Sequence, residues 1–163
     1  MIRCAKKEDL NAILAIYNDA IINTTAVYTY KPQTIDERIA WFETKQRNHE
    51  PIFVFEENGS VLGFATFGSF RPWPAYQYTI EHSIYVDASA RGKGIASQLL
   101  QRLIVEAKAK GYRTLVAGID ASKEASIKLH QKFNFKHAGT LTNVGYKFDY
   151  WLDLAFYELD LKD

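Results

Sequence analysis

The chain has 163 residues, 47% of them hydrophobic and 24% charged, and its twenty Lys and Arg against nineteen Asp and Glu leave a net charge of +1. That balance excludes a disordered or fibrous chain, and charges scattered without a basic block exclude a polyanion-binding surface, so no nucleic-acid partner is expected. A single cysteine, no apolar N-terminal run and no stretch of about 18 apolar residues predict one cytoplasmic domain over residues 1–163, with no disulfide, no metal and no membrane span.

Cys4 falls in a short apolar N-terminal strand, where it is expected to be a small core residue rather than a nucleophile. From Asp9 onward, Leu10, Ile13, Leu14, Ile16, Tyr17, Ala20 and Ile21 recur at helical spacing and predict an amphipathic helix. A polar, aromatic segment from Asn23 to Pro32 separates it from a second helix, whose start is marked by the capping-box sequence Thr34-Ile35-Asp36-Glu37. Ile52 to Phe55 and Val61 to Phe67 flank Asn58-Gly59, residues that accept the positive φ of a tight turn, so a β-hairpin is expected. Tyr78 to Val86 is a further β-rich run. After Gly92-Lys93-Gly94, the residues Ile95, Ala96, Leu99, Leu100, Leu103, Ile104 and Ala107 mark the best-defined helix, stopped by Gly111. Thr114 to Ile119 reads as a short strand, Glu124 to Phe133 as a helix, and Tyr146 to Leu161 as one or two closing strands. The alternation of strands and helices implies parallel pairing in this half. The whole predicts an α/β (α+β) fold, a mixed sheet with an antiparallel N-terminal half and helices on both faces.

Chemistry concentrates where the strand ending at Val86 runs through Arg91-Gly92-Lys93-Gly94 into the helix opening at Ile95-Ala96-Ser97. Unpaired backbone N–H groups and the positive end of a helix dipole converge there, the glycines allow close approach of the main chain, and Arg91 and Lys93 add charge. That is an anion cradle; the plain alternative is a turn shaped by two glycines. Lys93 is followed by Gly94 rather than Ser or Thr, which excludes a P-loop, and Ser97 stands where a dinucleotide fingerprint needs Gly or Ala. His49, His82 and His137 show no metal-ligand spacing with one another or with acidic residues.

The Arg-x-x-Gly-x-Ala run from Arg91 to Ala96 resembles the pyrophosphate loop of the GCN5-related N-acetyltransferases, and the order of elements is similar over essentially the whole chain. Within that superfamily, Phe70-Arg71-Pro72-Trp73-Pro74-Ala75-Tyr76, Glu81-His82-Ser83-Ile84-Tyr85-Val86, Ser126-Ile127-Lys128-Leu129-His130 and Trp151-Leu152-Asp153 resemble the phosphinothricin and methionine sulfoximine acetyltransferases. The resemblance implies parallel strands that splay at the centre of the sheet, with acetyl-CoA in the gap. Ile84, Tyr85 and Val86 would lie along its pantetheine arm, residues Arg91 to Ser97 around its pyrophosphate, and Lys123 and Ser126 on the helix side. Lys123 stands where family members usually carry Asn, and a lysine cannot copy an amide's paired hydrogen bonds; Asn134 replaces a Gly whose left-handed conformation it tolerates.

The same resemblance implies direct acetyl transfer to the α-amino group of a small-molecule amine, an amino acid or analogue, together with herbicide resistance and a homodimer. Glu81 is then the expected base for an ammonium that arrives protonated. Its ordinary pKa of about 4.3 requires burial to raise it, or a relaying water; the alternative is a strand carboxylate paired with a cation. His130, four residues after Ser126 on one helix face, is a second acid–base candidate or else a boundary residue. Tyr85 is a candidate proton donor to the leaving thiolate or else a core ring. Arg71, Tyr76 and Tyr28 are assigned to the acceptor pocket, the cation for a carboxylate and the rings for an aliphatic stem. Trp73 stands where phosphinothricin-acetylating members commonly have a second basic residue, so methionine sulfone, methionine sulfoximine or a large apolar amino acid is the expected acceptor. Two other readings stay open: a protein or peptide N-acetyltransferase, disfavoured by the bulky Phe70 to Tyr78 segment, and a non-catalytic acetyl-CoA sensor, disfavoured by Glu81.

Overall fold

The computed structural model describes residues 1–162. Along them lie β1 (Ile2–Cys4), α1 (Leu10–Asn23), α2 (Ile35–Arg47), β2 (Ile52–Glu57), β3 (Ser60–Ser69), β4 (Thr79–Val86), α3 (Ile95–Ala109), β5 (Thr114–Asp120), α4 (Glu124–Lys132), β6 (Lys136–Lys147) and β7 (Tyr150–Asp160). The strands form one sheet in the order β1-β2-β3-β4-β5-β7-β6. Every neighbouring pair is antiparallel except β4 and β5.

The run Ile52-Phe53-Val54-Phe55 is buried at all four positions because both faces of β2 are covered. Phe53 and Phe55 meet Leu99, Leu100 and Leu103 of α3 on one face. Ile52 and Val54 meet Leu10, Ile13 and Ile16 of α1 and Phe42 of α2 on the other. Period-2 alternation thus feeds two cores. Burying a side chain such as Phe53 or Phe64 contributes about 2–3 kcal/mol.

Local signals act where expected. Thr34 Oγ1 accepts from the Glu37 N–H at 3.2 Å and Glu37 Oε1 accepts from the Thr34 N–H at 3.0 Å, so the capping box is closed. Asn58 and Gly59 take φ of 53° and 80° between β2 and β3, and Asn134 takes φ of 70° after α4.

Two expectations are corrected. Cys4 is exposed, because β1 is a three-residue edge strand with one neighbour, and its side chain is not part of the core. The closing strands begin ten residues earlier than Tyr146: β6 starts at Lys136, and its pattern is exposed or half-exposed at every position except Lys147. An outer strand of this kind carries no alternating apolar signal. The parallel pairing expected in this half is present between β4 and β5, and β7 inserts antiparallel beside β5.

Candidate active site

β4 and β5 are paired only where Thr79, Ile80 and Glu81 face Thr114, Leu115 and Val116. Beyond that point β4 stays with β3 as far as Val86, and β5 stays with β7 as far as Asp120, so the two parallel strands part. Residues 82–86 therefore have no strand partner on that side. A cavity of about 520 Å³ opens there, and it brings together Tyr28, Glu81, Ile84, Tyr85, Val86, Ala96, Lys123, Ser126 and His130. A smaller one, about 240 Å³, continues past Ile84 and Val86 to Arg91 and Lys123.

At the mouth of the gap the main chain turns through Gly92 and Gly94 at φ of 81° and 77°, left-handed values that a side chain strains. Gly94 is the N-cap of α3 and offers its first turn no side-chain acceptor. A Cβ at either glycine would meet nothing within 4 Å, so these residues are required by backbone conformation and leave open space over the helix N-terminus. Arg91 is exposed, 4.0 Å from Asp19, and Lys93 is exposed beside it. Ile95 is 2% exposed and packs in the core, which leaves only its backbone for a ligand. Ser97 borders a shallow hollow with Gln98 and Arg102 and not the main cavity.

Glu81 sits where the strands part. Its Oε2 lies over Gly118 of β5, so close that a Cβ there would stand 3.1 Å from it. Burial pushes its carboxyl above the usual range, and the positive charge of Arg71 opposes that shift without cancelling it. Among the described residues no cation forms an ion pair with it and no donor hydrogen-bonds to it, so the paired-carboxylate alternative does not describe this side chain.

His130 is 4% exposed rather than at a boundary. Its Nδ1 is 2.7 Å from the Ser126 carbonyl, which can only accept, so Nδ1 carries the proton and Nε2 is the acceptor. His82 Nε2, 3.1 Å away, then donates, and the two rings stack at 5.1 Å between centroids. The lone pair on His82 Nδ1 is left buried without a partner. Burial holds both imidazoles below the usual histidine range, and each stays neutral. Tyr85 borders the cavity while its ring packs edge-on against Tyr17 and tilted on Phe64. Burial, reinforced by Tyr17, pushes its phenol up to about 12.

Of the acceptor-side candidates only Tyr28 lines the cavity. Arg71, Trp73 and Tyr76 lie on the exposed turn between β3 and β4, with Trp73 68% exposed, and Arg71 reaches the site through its charge on Glu81. Three contributors escape sequence reasoning. Gly118 leaves room for the Glu81 carboxylate, and His82 orients His130. Asp120, buried at the end of β5, accepts from Thr25 Oγ1 and from the Ser122 N–H and hydroxyl. Burial pushes Asp120 up, but those hydrogen bonds outweigh it and hold the carboxyl low. Only the Asp-x-Ser turn signature of Asp120 to Ser122 offered a local hint.

Residues 13–135 match the sequence profile of the Acetyltransferase (GNAT) family. An L-methionine sulfoximine/L-methionine sulfone acetyltransferase of Pseudomonas aeruginosa is 47% identical over 161 residues, 98% of this chain and 94% of that one. A crystal structure of an N-acetyltransferase from Staphylococcus aureus Mu50 is 99% identical, with a TM-score of 0.99 over 99% of this chain and 98% of that one. The structure of yncA from Salmonella typhimurium with its cofactor acetyl-CoA is 43% identical, with a TM-score of 0.98 over 100% of this chain and 94% of that one.

Proposed function

The chain belongs to the Acetyltransferase (GNAT) family, and we propose that within it the protein transfers an acetyl group from acetyl-CoA directly to the α-amino group of a small amino acid analogue of the methionine sulfone and methionine sulfoximine class. Acetyl-CoA supplies an already activated thioester, so the protein's task is to hold an amine beside it, take up the amine's proton and exclude water. The observation that carries the reading is the unpartnered, half-buried Glu81 carboxylate at the point where β4 and β5 part.

Each group has a place in that reaction. The open strand edge from Ile84 to Val86 receives amide groups, and the N–H cluster at Gly92 to Ser97, with Arg91 and Lys93, receives phosphates. The open space over Gly92 and Gly94 fits that use. Lys123, at the N-cap of α4 and beside both cavities, meets a phosphate by charge in place of an amide's paired bonds. Glu81 takes the amine proton, directly or through a water, because its raised pKa brings it toward that of its partner. His130, neutral with its acceptor nitrogen turned to His82, supports the site from the α4 side. Tyr85 keeps its proton throughout the physiological range and is available as a donor to the departing thiolate.

The cavity of about 520 Å³ is shared between acetyl-CoA along Ile84 to Val86 and the acceptor beside Glu81 and Tyr28, and the room left for the acceptor favours a free amine over a peptide. The reading includes one N-acetyltransferase domain over residues 1–163, a homodimer, a cytoplasmic setting and no metal. Thiol release from acetyl-CoA, followed across a panel of free amino acids and analogues, tests it. L-methionine sulfone or sulfoximine is expected to be acetylated with higher kcat/KM than phosphinothricin, since exposed Trp73 brings no charge to a phosphinate. Silence across the whole panel, with acetyl-CoA bound, would leave a sensor as the better description.

A further inference from the structure

The segment 24–30, between α1 and α2, is strapped to strands that do not themselves border the cavity. Lys147 of β6 is 3% exposed, and its Nζ donates to the carbonyls of Thr24 at 2.7 Å and Val27 at 2.8 Å. No carboxylate among the described residues forms an ion pair with it. Burying an unpaired ammonium is costly, and a Met of similar length would avoid the cost; what the lysine adds is two fixed carbonyls. Nearby, the Tyr28 ring lies against Gly145, where a Cβ would come within 2.7 Å of Cδ2 and 2.8 Å of Cε2. The Tyr28 hydroxyl donates to the Asp153 carbonyl of β7 at 3.1 Å, and the Tyr30 hydroxyl donates to the Tyr146 carbonyl of β6. The strapped residues Ala26, Val27 and Tyr28 line the cavity, whereas no residue of β6 or β7 does.

We propose that Gly145 and Lys147 are positioning residues for acceptor selection, acting from outside the cavity by holding segment 24–30 so that Tyr28 stands as a fixed wall. The inference rests on reading the Tyr28 and Glu81 side of that cavity as the acceptor site. Lys147 fixes the main chain of the strap, and the missing side chain of Gly145 sets how far the Tyr28 ring lies from the sheet. A methyl group at 145 must drive the ring off β6 and so reshape the wall.

A double-mutant cycle with acetyl-CoA and L-methionine sulfone tests this. Gly145→Ala is expected to raise the KM for the acceptor about tenfold or more, with acetyl-CoA affinity by calorimetry unchanged. On a Tyr28→Ala background the same substitution is expected to change that KM by less than about twofold, because the ring it displaces is gone. If Gly145→Ala alone fails to fold, a folded double variant supports the clash and an unfolded one overturns it. Amide hydrogen exchange over residues 24–30 is expected to rise in Lys147→Met while the rest of the chain is unaltered, a readout that needs no acceptor. Equal Gly145→Ala effects with and without Tyr28, or unaltered exchange in Lys147→Met, overturns this inference alone. A wild type that acetylates no amine overturns it together with the functional reading.

Discussion

Glu81 sits where its surroundings disfavour a charge. Its carboxylate rests against the backbone of Gly118, burial raises its pKa, and only the more distant Arg71 charge opposes the shift. A folded-state pKa above the unfolded one means that the native state binds the proton more tightly. The carboxyl's contribution to stability is therefore present below the ordinary carboxylate range and is lost as pH rises through the raised pKa. Glu81→Gln is accordingly expected to melt above the wild type at pH 8, the gap closing as the pH is lowered toward about 4. Equal melting temperatures at both pH values would show that the carboxylate is not strained by its site. On the proposed reading of Glu81 as the base, the desolvation that costs stability is also what brings its proton affinity toward that of an amine.

The loop between β4 and α3 is the element proposed to hold a phosphate through its backbone. Both glycines are left-handed with open space above them, so Gly94→Val fills the space over the helix N-terminus and also strains φ at 77°. Acetyl-CoA affinity by calorimetry is expected to fall about tenfold or more, roughly 1.4 kcal/mol, while circular dichroism remains native; wild-type affinity would remove the loop from the phosphate site. On the opposite side of the gap, α4 is docked by the neutral His82–His130 pair. Both imidazoles titrate below their unfolded value, so this docking is fully stable above about pH 6.5 and weakens as the unfolded chain takes up protons below it. His82→Phe should flatten the fall in melting temperature between pH 7 and pH 5, and an unchanged slope would mean that other groups set it. How much of this was legible depends on how local each signal is. The capping box at Thr34, the Asn58-Gly59 turn, the Gly92 and Gly94 loop and the Gly111 stop are contained within a few residues, and each was readable. β6 was not, because an outer strand whose residues are mostly exposed carries no alternation, and Cys4 was misjudged because an apolar neighbourhood in sequence says nothing about being at an edge. The His82–His130 and Glu81–Gly118 contacts span 48 and 37 residues and arise only when β4, β5 and α4 are brought together.

At the scale of the molecule, the sheet joins two cores across one strand layer, and the site lies where that layer is interrupted. The same sheet leaves Tyr146, Phe148, Tyr150 and Trp151 exposed along β6, β7 and the turn between them. In the proposed homodimer, that row of rings is the surface a second copy of the chain would cover. Light scattering at micromolar concentration is expected to give a dimer, and Trp151→Lys is expected to shift it toward monomer; a monomeric wild type would contradict the assembly. Splayed strands, glycine loop and half-buried carboxylate support the central proposal, that Glu81 removes the proton from an amine acetylated directly by acetyl-CoA. The measurement that meets it most directly is kcat/KM for L-methionine sulfone, by thiol release with the product identified by mass, in the wild type and in Glu81→Gln. The account predicts one acetylated amine per thiol released and a loss of about 100-fold in the variant at pH 7, recovering in part as the pH is raised and more amine is free. Wild-type turnover in Glu81→Gln at pH 7 would contradict it.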